Sequence, residues 1–215
     1  MKNVLKGILG LGAVLTAILL FNTYNIETVR PMGNTVKLEN IDIQKAVDRL
    51  SGGIKIPTIS QMNSDKIDYT HFVNFNRYLR REFPRVFNTL ESYTINKHSL
   101  ILKWNGAQPL KKPVLFMAHM DVVPIDGQSL DQWTHPPFGG KADEEIIWGR
   151  GTMDCKGNLF AIMESVDQLI SNGFQPAQTI YIAFGHDEEI GGNEGAKKIS
   201  RIFSEQQYRL RFNSG

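Results

Sequence analysis

Apolar residues are distributed unevenly along the chain, and the run nearest the amino terminus is the most continuous. Residues 4–21 are almost entirely apolar, with Lys2 and Lys6 at the amino-terminal end. A run of this length predicts a membrane-spanning helix, and the lysines predict that the rest of the chain lies on the non-cytoplasmic side. No A-x-A-like site follows, which favours a single-pass anchor over a cleaved signal peptide.

The pattern changes after this run, and a polar connector is expected over residues 22–40. A folded domain is expected from residue 41 onward. Its first segment, residues 41–50, has apolar residues at helical spacing. The following Ser-Gly-Gly at residues 51–53 is expected to stop that helix.

Further elements are expected in the first half of this domain. Residues 68–83 predict a second helix, because their apolar residues recur every three or four positions and Pro84 follows. Residues 92–106 predict two strands that meet near Asn96 and Lys97.

Two apolar runs in the second half lack the alternation of a half-exposed strand. They are VLFMAHM at residues 114–120 and TIYIAFG at residues 179–185. Such runs are typical of central strands covered on both faces. Between them, residues 158–173 have helical spacing and end at Gly173. The order of strand, helix and strand predicts a βαβ unit and an α/β fold.

Composition narrows the function classes. The 215 residues are 41% hydrophobic and 21% charged, which is enough for a globular domain with a core. The net charge of +2 gives no basic field for nucleic acid. The densest basic stretch, residues 76–85, fits the solvated face of an amphipathic helix. Cys155 is the only cysteine, so an intrachain disulfide and a multi-cysteine zinc site are excluded.

Polar side chains that can bind metal follow both apolar runs. His119 and Asp121 lie two residues apart at the end of the first, so they can face the same side. The second run leads into His186, Asp187, Glu188 and Glu189, and Asp154 lies in a glycine-containing loop between the runs. Ligand sites of open α/β sheets collect at the carboxyl ends of strands. We therefore expect these groups to converge.

A cluster of carboxylates is tolerated mainly when a cation neutralises it, so a divalent metal is the natural ligand. Histidine with carboxylates and no thiolate cage suits zinc, or a similar first-row ion, in an open catalytic site. Of two adjacent glutamates, one can bind the metal while the other takes a proton from the attacking water.

These motifs resemble those of the M20 family of metallopeptidases, and most closely its carboxypeptidase S and PM20D1-like branch. The segments that carry the resemblance are MAHMDVVP, WTHPPFGG, IWGRGTMDCKGN and GHDEEIGGNEGA. The resemblance implies a zinc-peptidase-like α/β domain with a mixed sheet flanked by helices. It also implies two zinc ions and hydrolysis of peptide or N-acyl amino acid amide bonds next to a free carboxylate.

The resemblance assigns roles residue by residue. His119 resembles a histidine ligand of one metal, and Asp121 resembles the aspartate that orients this histidine. Asp154 resembles the carboxylate that bridges both metals. Glu188 resembles the general base, and Glu189 resembles a ligand in the second-metal half of the site. His135, His186 and Asp187 match no ligand position, and Cys155 is expected to be a small loop residue.

The resemblance also implies parts that the sequence lacks. A complete member has a further acidic ligand, a lid domain and a late histidine ligand, whereas this sequence offers Asn213 and Ser214 near its last residue, Gly215. We therefore expect residues 41–215 to be a partial catalytic domain without a lid and without hydrolysis of its own. Two functions stay open: the amino-terminal part of a membrane-anchored metallopeptidase, and an inactive anchored remnant that acts as a binding or interaction module.

Overall fold

The computed structural model describes residues 2–25, 41–108, 110–143 and 145–205. The chain divides into two compact units, Met1–Asn40 and Ile41–Gly215. Most of the expected connector, residues 26–40, lies outside the described residues. The tail with Asn213 and Ser214 lies outside them as well.

The first unit contains helix α1 (Lys2–Tyr24), which covers the predicted apolar run. None of its residues is buried. The helix is long and apolar enough to cross a membrane, and a signal sequence at this position would be equally so. The structure thus agrees with a membrane-directed segment, and the direction of insertion stays a prediction.

The second unit begins with α2 (Ile43–Ile54), which Asp42 caps by accepting a hydrogen bond from the backbone N–H of Lys45 at 3.0 Å. The predicted stop at residues 51–53 is wrong, because α2 continues through both glycines. These glycines serve close packing instead. A Cβ atom at Gly53 would lie 2.5 Å from the ring of Phe160, so only glycine fits there.

Two more helices follow, α3 (Tyr69–Glu82) and α4 (Pro84–Thr89). Asp68 caps α3, and Pro84 takes the first position of α4, where its missing N–H costs no hydrogen bond. The apolar face of α3 is buried, whereas Arg80 and Arg81 are exposed. The basic stretch is therefore the solvated face of an amphipathic helix, as predicted.

A four-stranded sheet with the order β1-β2-β6-β3 forms the centre of this unit. Its strands are β1 (Glu91–Ile95), β2 (Ser99–Trp104), β3 (Val114–His119) and β6 (Ile180–Gly185). The predicted hairpin of β1 and β2 is confirmed, with Asn96 and Lys97 in the left-handed conformation at its turn. A small separate ribbon pairs β4 (Lys141–Ala142) with β5 (Ile147–Trp148).

The predicted βαβ unit is confirmed. Helix α5 (Lys156–Ser171) lies between β3 and β6 in the chain, and these two strands are parallel neighbours. Their register pairs His119 with Gly185, so the carboxyl ends of both strands lie side by side. Since β1, β2 and β6 are antiparallel, the sheet is mixed and the fold is the predicted α/β class.

The main core fills the space between the sheet and helices α3, α4 and α5. Its fully buried members include Phe72, Phe75, Leu102, Leu159 and Phe184. Each such side chain contributes about 1.5–3 kcal/mol by leaving water. A smaller cluster on the other face joins Ile101 and Tyr181 to Ile199 and Phe203 of α6 (Ala196–Glu205).

The expectation that both apolar strands are covered on both faces holds for β6 and is wrong for β3. Five of the six residues of β6 are buried. In β3, Phe116 and Met117 are 47% and 52% exposed. The reason is that β3 lies at the edge of the sheet within the described residues, with β6 as its neighbour there.

Candidate metal centre

His119 is the last residue of β3, and its ring lies between two aspartates. Its Nδ1 is 3.1 Å from the backbone oxygen of Asp121 and 3.3 Å from Asp121 Oδ1. Its Nε2 is 2.9 Å from Asp154 Oδ1. Oxygen atoms of carbonyl and carboxylate groups only accept hydrogen bonds, so Nδ1 carries a hydrogen and Nε2 points to Asp154.

Asp121 is completely buried and joins the two strand ends. One carboxylate oxygen accepts the backbone N–H of Glu188 and the other that of Glu189, both at 3.1 Å. Burial alone would raise the pKa of Asp121, but the hydrogen bonds from His119, Ser60 and Glu189 outweigh it and lower the pKa. Asp121 is thus a buried anion that fixes the His119 ring and the glutamate pair together.

The charge of Asp121 determines the protonation of His119. Burial opposes the imidazolium form, but the hydrogen bond and the negative charge of Asp121 outweigh it and raise the pKa of His119 to about 9. A protonated ring carries its second proton on Nε2, which faces Asp154. A divalent ion bound to Nε2 would displace this proton, since only the neutral ring is a metal ligand.

Asp154 reaches His119 from the loop between β5 and α5. Gly149 and Gly151 in this loop have φ values of 153° and 90°, and a Cβ atom at Gly151 would lie 2.8 Å from Val122. Glycine therefore lets the loop pass close to the segment that follows β3. The side chain of Asp154 is 78% exposed, so it faces the open side of the site.

Glu188 and Glu189 lie in a short 3-10 helix (Glu188–Ile190) directly after β6. Glu188 is 58% exposed, and its Oε2 is 3.8 Å from His119 Nε2. Partial burial raises the pKa of Glu189, and the negative charges of Asp154, Asp121 and Glu188 add to this effect while His119 opposes it. The part of this shift that comes from the neighbouring carboxylates is a repulsion that a cation would relieve.

The structure brings most of the predicted site residues together. Among the described residues, the group of potential ligand atoms that lie within 4.8 Å of one another comes from His119, Asp154 and Cys155. The charges of Asp154 and His119 affect the pKa of Glu189, but Glu189 is not a member of this group. Imidazole, carboxylate and thiol donors on an accessible face fit a first-row divalent ion such as zinc.

The other polar residues near the strand ends have structural partners. The ring of His186 is buried, and its Nδ1 is 2.6 Å from Ser99 Oγ. Asp187 accepts backbone N–H groups of Glu194 and Gly195 at 2.7 and 2.8 Å. His135 contacts the ring of Trp148 edge-on, outside the cluster. None of these three occupies a ligand position in the cluster.

Sequence reasoning missed buried polar residues beside the site, among them Ser60, which bonds to Asp121, and Lys156. Lys156, the first residue of α5, is completely buried. A signal for it exists in the sequence, because Lys156 has the helical spacing of the buried residues Leu159, Phe160 and Met163.

The cluster of candidate metal ligands lies at the carboxyl ends of neighbouring parallel strands, where ligand sites of open α/β sheets collect, and comparison with known proteins gives the family. Residues 115–213 match the model of peptidase family M20/M25/M40. The chain is 40% identical over 210 residues to "Probable carboxypeptidase S-like 2" of Dictyostelium discoideum, covering 94% of this chain and 39% of that protein. The chain therefore belongs to the M20 peptidase family, whose members are hydrolases.

Further relatives represent both types that the motifs resemble. Carboxypeptidase S of Saccharomyces cerevisiae is 38% identical over 168 residues, which are 75% of this chain and 29% of that protein. "N-fatty-acyl-amino acid synthase/hydrolase PM20D1" of Xenopus tropicalis is 34% identical over 206 residues, which are 93% of this chain and 40% of that protein. The chain thus spans well under half the length of these relatives.

Solved structures support the fold. The M20 metallo-carboxypeptidase Sso-CP2 of Sulfolobus solfataricus matches with a TM-score of 0.59 and 20% identity, covering 77% of this chain and 35% of that one. The YXEP protein of Bacillus subtilis, described as a dinuclear metal-binding peptidase of the M20 family, matches with a TM-score of 0.51 and 16% identity. That match covers 77% of this chain and 40% of that one.

Proposed function

We propose that this chain carries the amino-terminal part of the catalytic site of a membrane-anchored, zinc-dependent hydrolase. The observation that carries the proposal is the position of His119, with Nδ1 facing Asp121 and Nε2 2.9 Å from Asp154 Oδ1. A metal-ligating histidine usually donates its other ring N–H to a carboxylate or a backbone carbonyl, and Asp121 offers both to Nδ1 of His119.

The proposed metal ligands are His119, Asp154 and Glu189, and two zinc ions are expected in a complete family site. Asp154 supports this set because its exposed carboxylate lies 2.9 Å from His119 Nε2. Glu189 supports it because burial and repulsion from neighbouring carboxylates raise its pKa, and a cation would relieve this repulsion. Zinc would supply a Lewis acid that polarises the scissile carbonyl group and makes water more acidic.

The proposed general base is Glu188. Its carboxylate is largely exposed and lies at the edge of the cluster, 3.8 Å from His119. It can therefore accept a proton from an attacking water and later return it to the leaving amine. Asp121 is proposed to orient His119, because its own carboxylate is buried and already bonded to backbone N–H groups.

The proposed substrates are peptides or N-acyl amino acids with a free carboxylate. The support comes from the relatives, which include carboxypeptidases and an N-fatty-acyl-amino acid synthase/hydrolase. The proposed anchor is α1, with the following residues on the non-cytoplasmic side because Lys2 and Lys6 lie at the amino-terminal end of the apolar run.

Two matched substitutions test the roles of the glutamate pair. Glu189→Gln should weaken zinc retention by the chain, because a charged ligand becomes neutral. Glu188→Gln should leave zinc retention largely intact. Equal retention by both variants would contradict the division of roles.

Hydrolysis is tested in a chimera, in which residues 41–205 replace the matching part of the Dictyostelium relative. We expect zinc-dependent hydrolysis of N-acyl amino acids or carboxyl-terminal dipeptides, and Glu188→Gln should remove most of it. A folded chimera that retains zinc without hydrolysis would instead support the alternative function, an inactive anchored binding module.

A further inference from the structure

Lys156 places an amine in the interior of the protein, next to the candidate metal centre. Its side chain is completely buried, and its Nζ donates hydrogen bonds to the backbone oxygens of Gly53 at 3.1 Å and Ile56 at 2.6 Å. The same Nζ lies 4.7 Å from the centre of the Phe75 ring. These three groups belong to α2, to the residues that follow it and to α3.

Burying a lysine is costly, so its retention among apolar neighbours calls for a specific role. A methionine would fill a similar volume without the cost of desolvating an amine. What methionine cannot do is donate hydrogen bonds to two carbonyl groups.

The two carbonyl groups lie at a junction that leads directly to Asp121. Gly53 is in the last turn of α2, and Ile56 follows its end. A few residues later the backbone pairs with the segment after β3: the oxygen of Thr58 accepts the N–H of Val122, and the N–H of Ser60 donates to the oxygen of Val122, both at 3.0 Å. The segment whose carbonyl groups Lys156 binds therefore continues into the residues that flank Asp121.

The backbone of Lys156 is linked to the loop that carries Asp154, because Lys156 lies two residues after Asp154 in the chain. Its backbone N–H donates to the oxygen of Gly151 at 2.9 Å, which closes the loop that carries Asp154. The side chain and the backbone of one residue therefore connect the Asp154 loop to the end of α2.

We propose that Lys156 is a positioning residue that ties the Asp154 loop to the segment flanking Asp121, so that the Asp154 carboxylate stays opposite His119. The hydrogen bonds of Lys156 alone support its role in linking the two segments. The effect of Lys156 on metal binding rests also on the proposed function.

The test compares Lys156→Met with Asp167→Asn in the full chain. Asp167 is a suitable control because it is also a buried charged residue of α5, but it pairs with Arg49 and Arg85 away from the site. Hydrogen exchange without metal should be about tenfold faster or more for backbone amides of residues 151–155 in Lys156→Met. In Asp167→Asn these amides should exchange at the wild-type rate.

Zinc affinity gives the second readout. It should fall by about tenfold or more in Lys156→Met and stay unchanged in Asp167→Asn. Unchanged exchange of residues 151–155 in a folded Lys156→Met variant would overturn the inference. If the wild-type chain retains no zinc, the proposed function fails, while the exchange result still decides the role of Lys156.

A measurement on the unaltered chain covers the case in which Lys156→Met does not fold. In native-state hydrogen exchange at increasing denaturant, residues 151–155 and 56–60 should open with the same free energy and the same denaturant dependence. Opening of residues 151–155 at lower free energy, while residues 56–60 stay protected, would overturn the inference.

Discussion

The Nε2 atom of His119 lies 2.9 Å from Oδ1 of Asp154, although the two residues are 35 positions apart in the chain. The contact joins the end of β3 to the loop before α5, so two separate motifs contribute to one site. It also places an imidazole and a carboxylate, two ligand types of zinc, side by side.

The first prediction concerns zinc binding by this pair. His119→Ala should lower the zinc affinity of the chain by about 100-fold or more, because the imidazole ligand is removed. His135→Ala is the control, since His135 contacts Trp148 and lies outside the cluster. Isothermal titration with zinc checks this, and an equal loss in both variants would contradict the assignment of His119.

The second prediction concerns the buried carboxylate of Asp121. Asp121→Asn should reduce the free energy of unfolding by about 3 kcal/mol, because the anion that accepts two backbone N–H groups and pairs with His119 is lost. Zinc affinity should fall by about 10- to 100-fold as the ring loses its orientation. Urea unfolding and zinc titration measure the two effects.

Asp143→Asn is the matched control for Asp121→Asn. Asp143 also accepts two backbone N–H groups, those of Glu145 and Ile146, but its side chain is exposed. Its substitution should change the free energy of unfolding by less than about 1 kcal/mol. A similar loss in both variants would show that burial of Asp121 does not matter.

The third prediction concerns how the free energy of unfolding depends on pH, and it does not involve the metal centre. Tyr78 donates a hydrogen bond to the backbone oxygen of Arg49 at 2.8 Å, and burial, assisted by Glu82, raises its pKa to about 12. The folded state therefore holds this proton more tightly than the unfolded state, whose tyrosine pKa is about 10. Tyr78 therefore makes its full contribution to the free energy of unfolding below pH 10, and this contribution is lost as the pH rises from 10 to 12.

Tyr78→Phe provides the comparison for this titration. The difference in the free energy of unfolding between wild type and Tyr78→Phe should be constant below pH 10 and should shrink between pH 10 and 12. Urea unfolding at a series of pH values measures it. A difference that stays constant up to pH 12 would contradict the raised pKa.

The fourth prediction concerns the orientation of α1. We expect the residues after the helix to be cleaved by protease in spheroplasts and protected in inside-out vesicles, because Lys2 and Lys6 favour a cytoplasmic amino terminus. A chain with both lysines changed to glutamate should show a weaker preference. Release of a soluble form that begins near residue 22 would show instead that the segment is a cleaved signal.

Much of the fold could be predicted because the controlling patterns are local. The apolar runs of β3 and β6 and the helical spacing of α5 predicted the βαβ unit, and this placed His119 at a strand end beside β6. The double glycine of α2 misled the prediction of its end, since glycine fits both a helix stop and a close helix contact. Only the packing of Phe160 on Gly53 distinguishes the two.

The site could be predicted less completely than the fold. The motifs indicated His119 and Asp154, but the conformation of a glycine-containing loop decides which neighbour of Asp154 faces His119, and this placed Cys155 in the cluster. Lys156 was missed because lysine is typical of exposed positions, and only tertiary contacts with α2 show why it is buried.

The most direct test of the central claim is X-ray absorption spectroscopy of the zinc-loaded chain. If His119, Asp154 and Glu189 hold the metal, the first shell contains nitrogen and oxygen at about 2.0–2.2 Å, with imidazole scattering that disappears in His119→Ala. The spectrum should be unchanged in Cys155→Ser. A sulfur shell at about 2.3 Å that disappears in Cys155→Ser would contradict this ligand set and would place Cys155 on the metal.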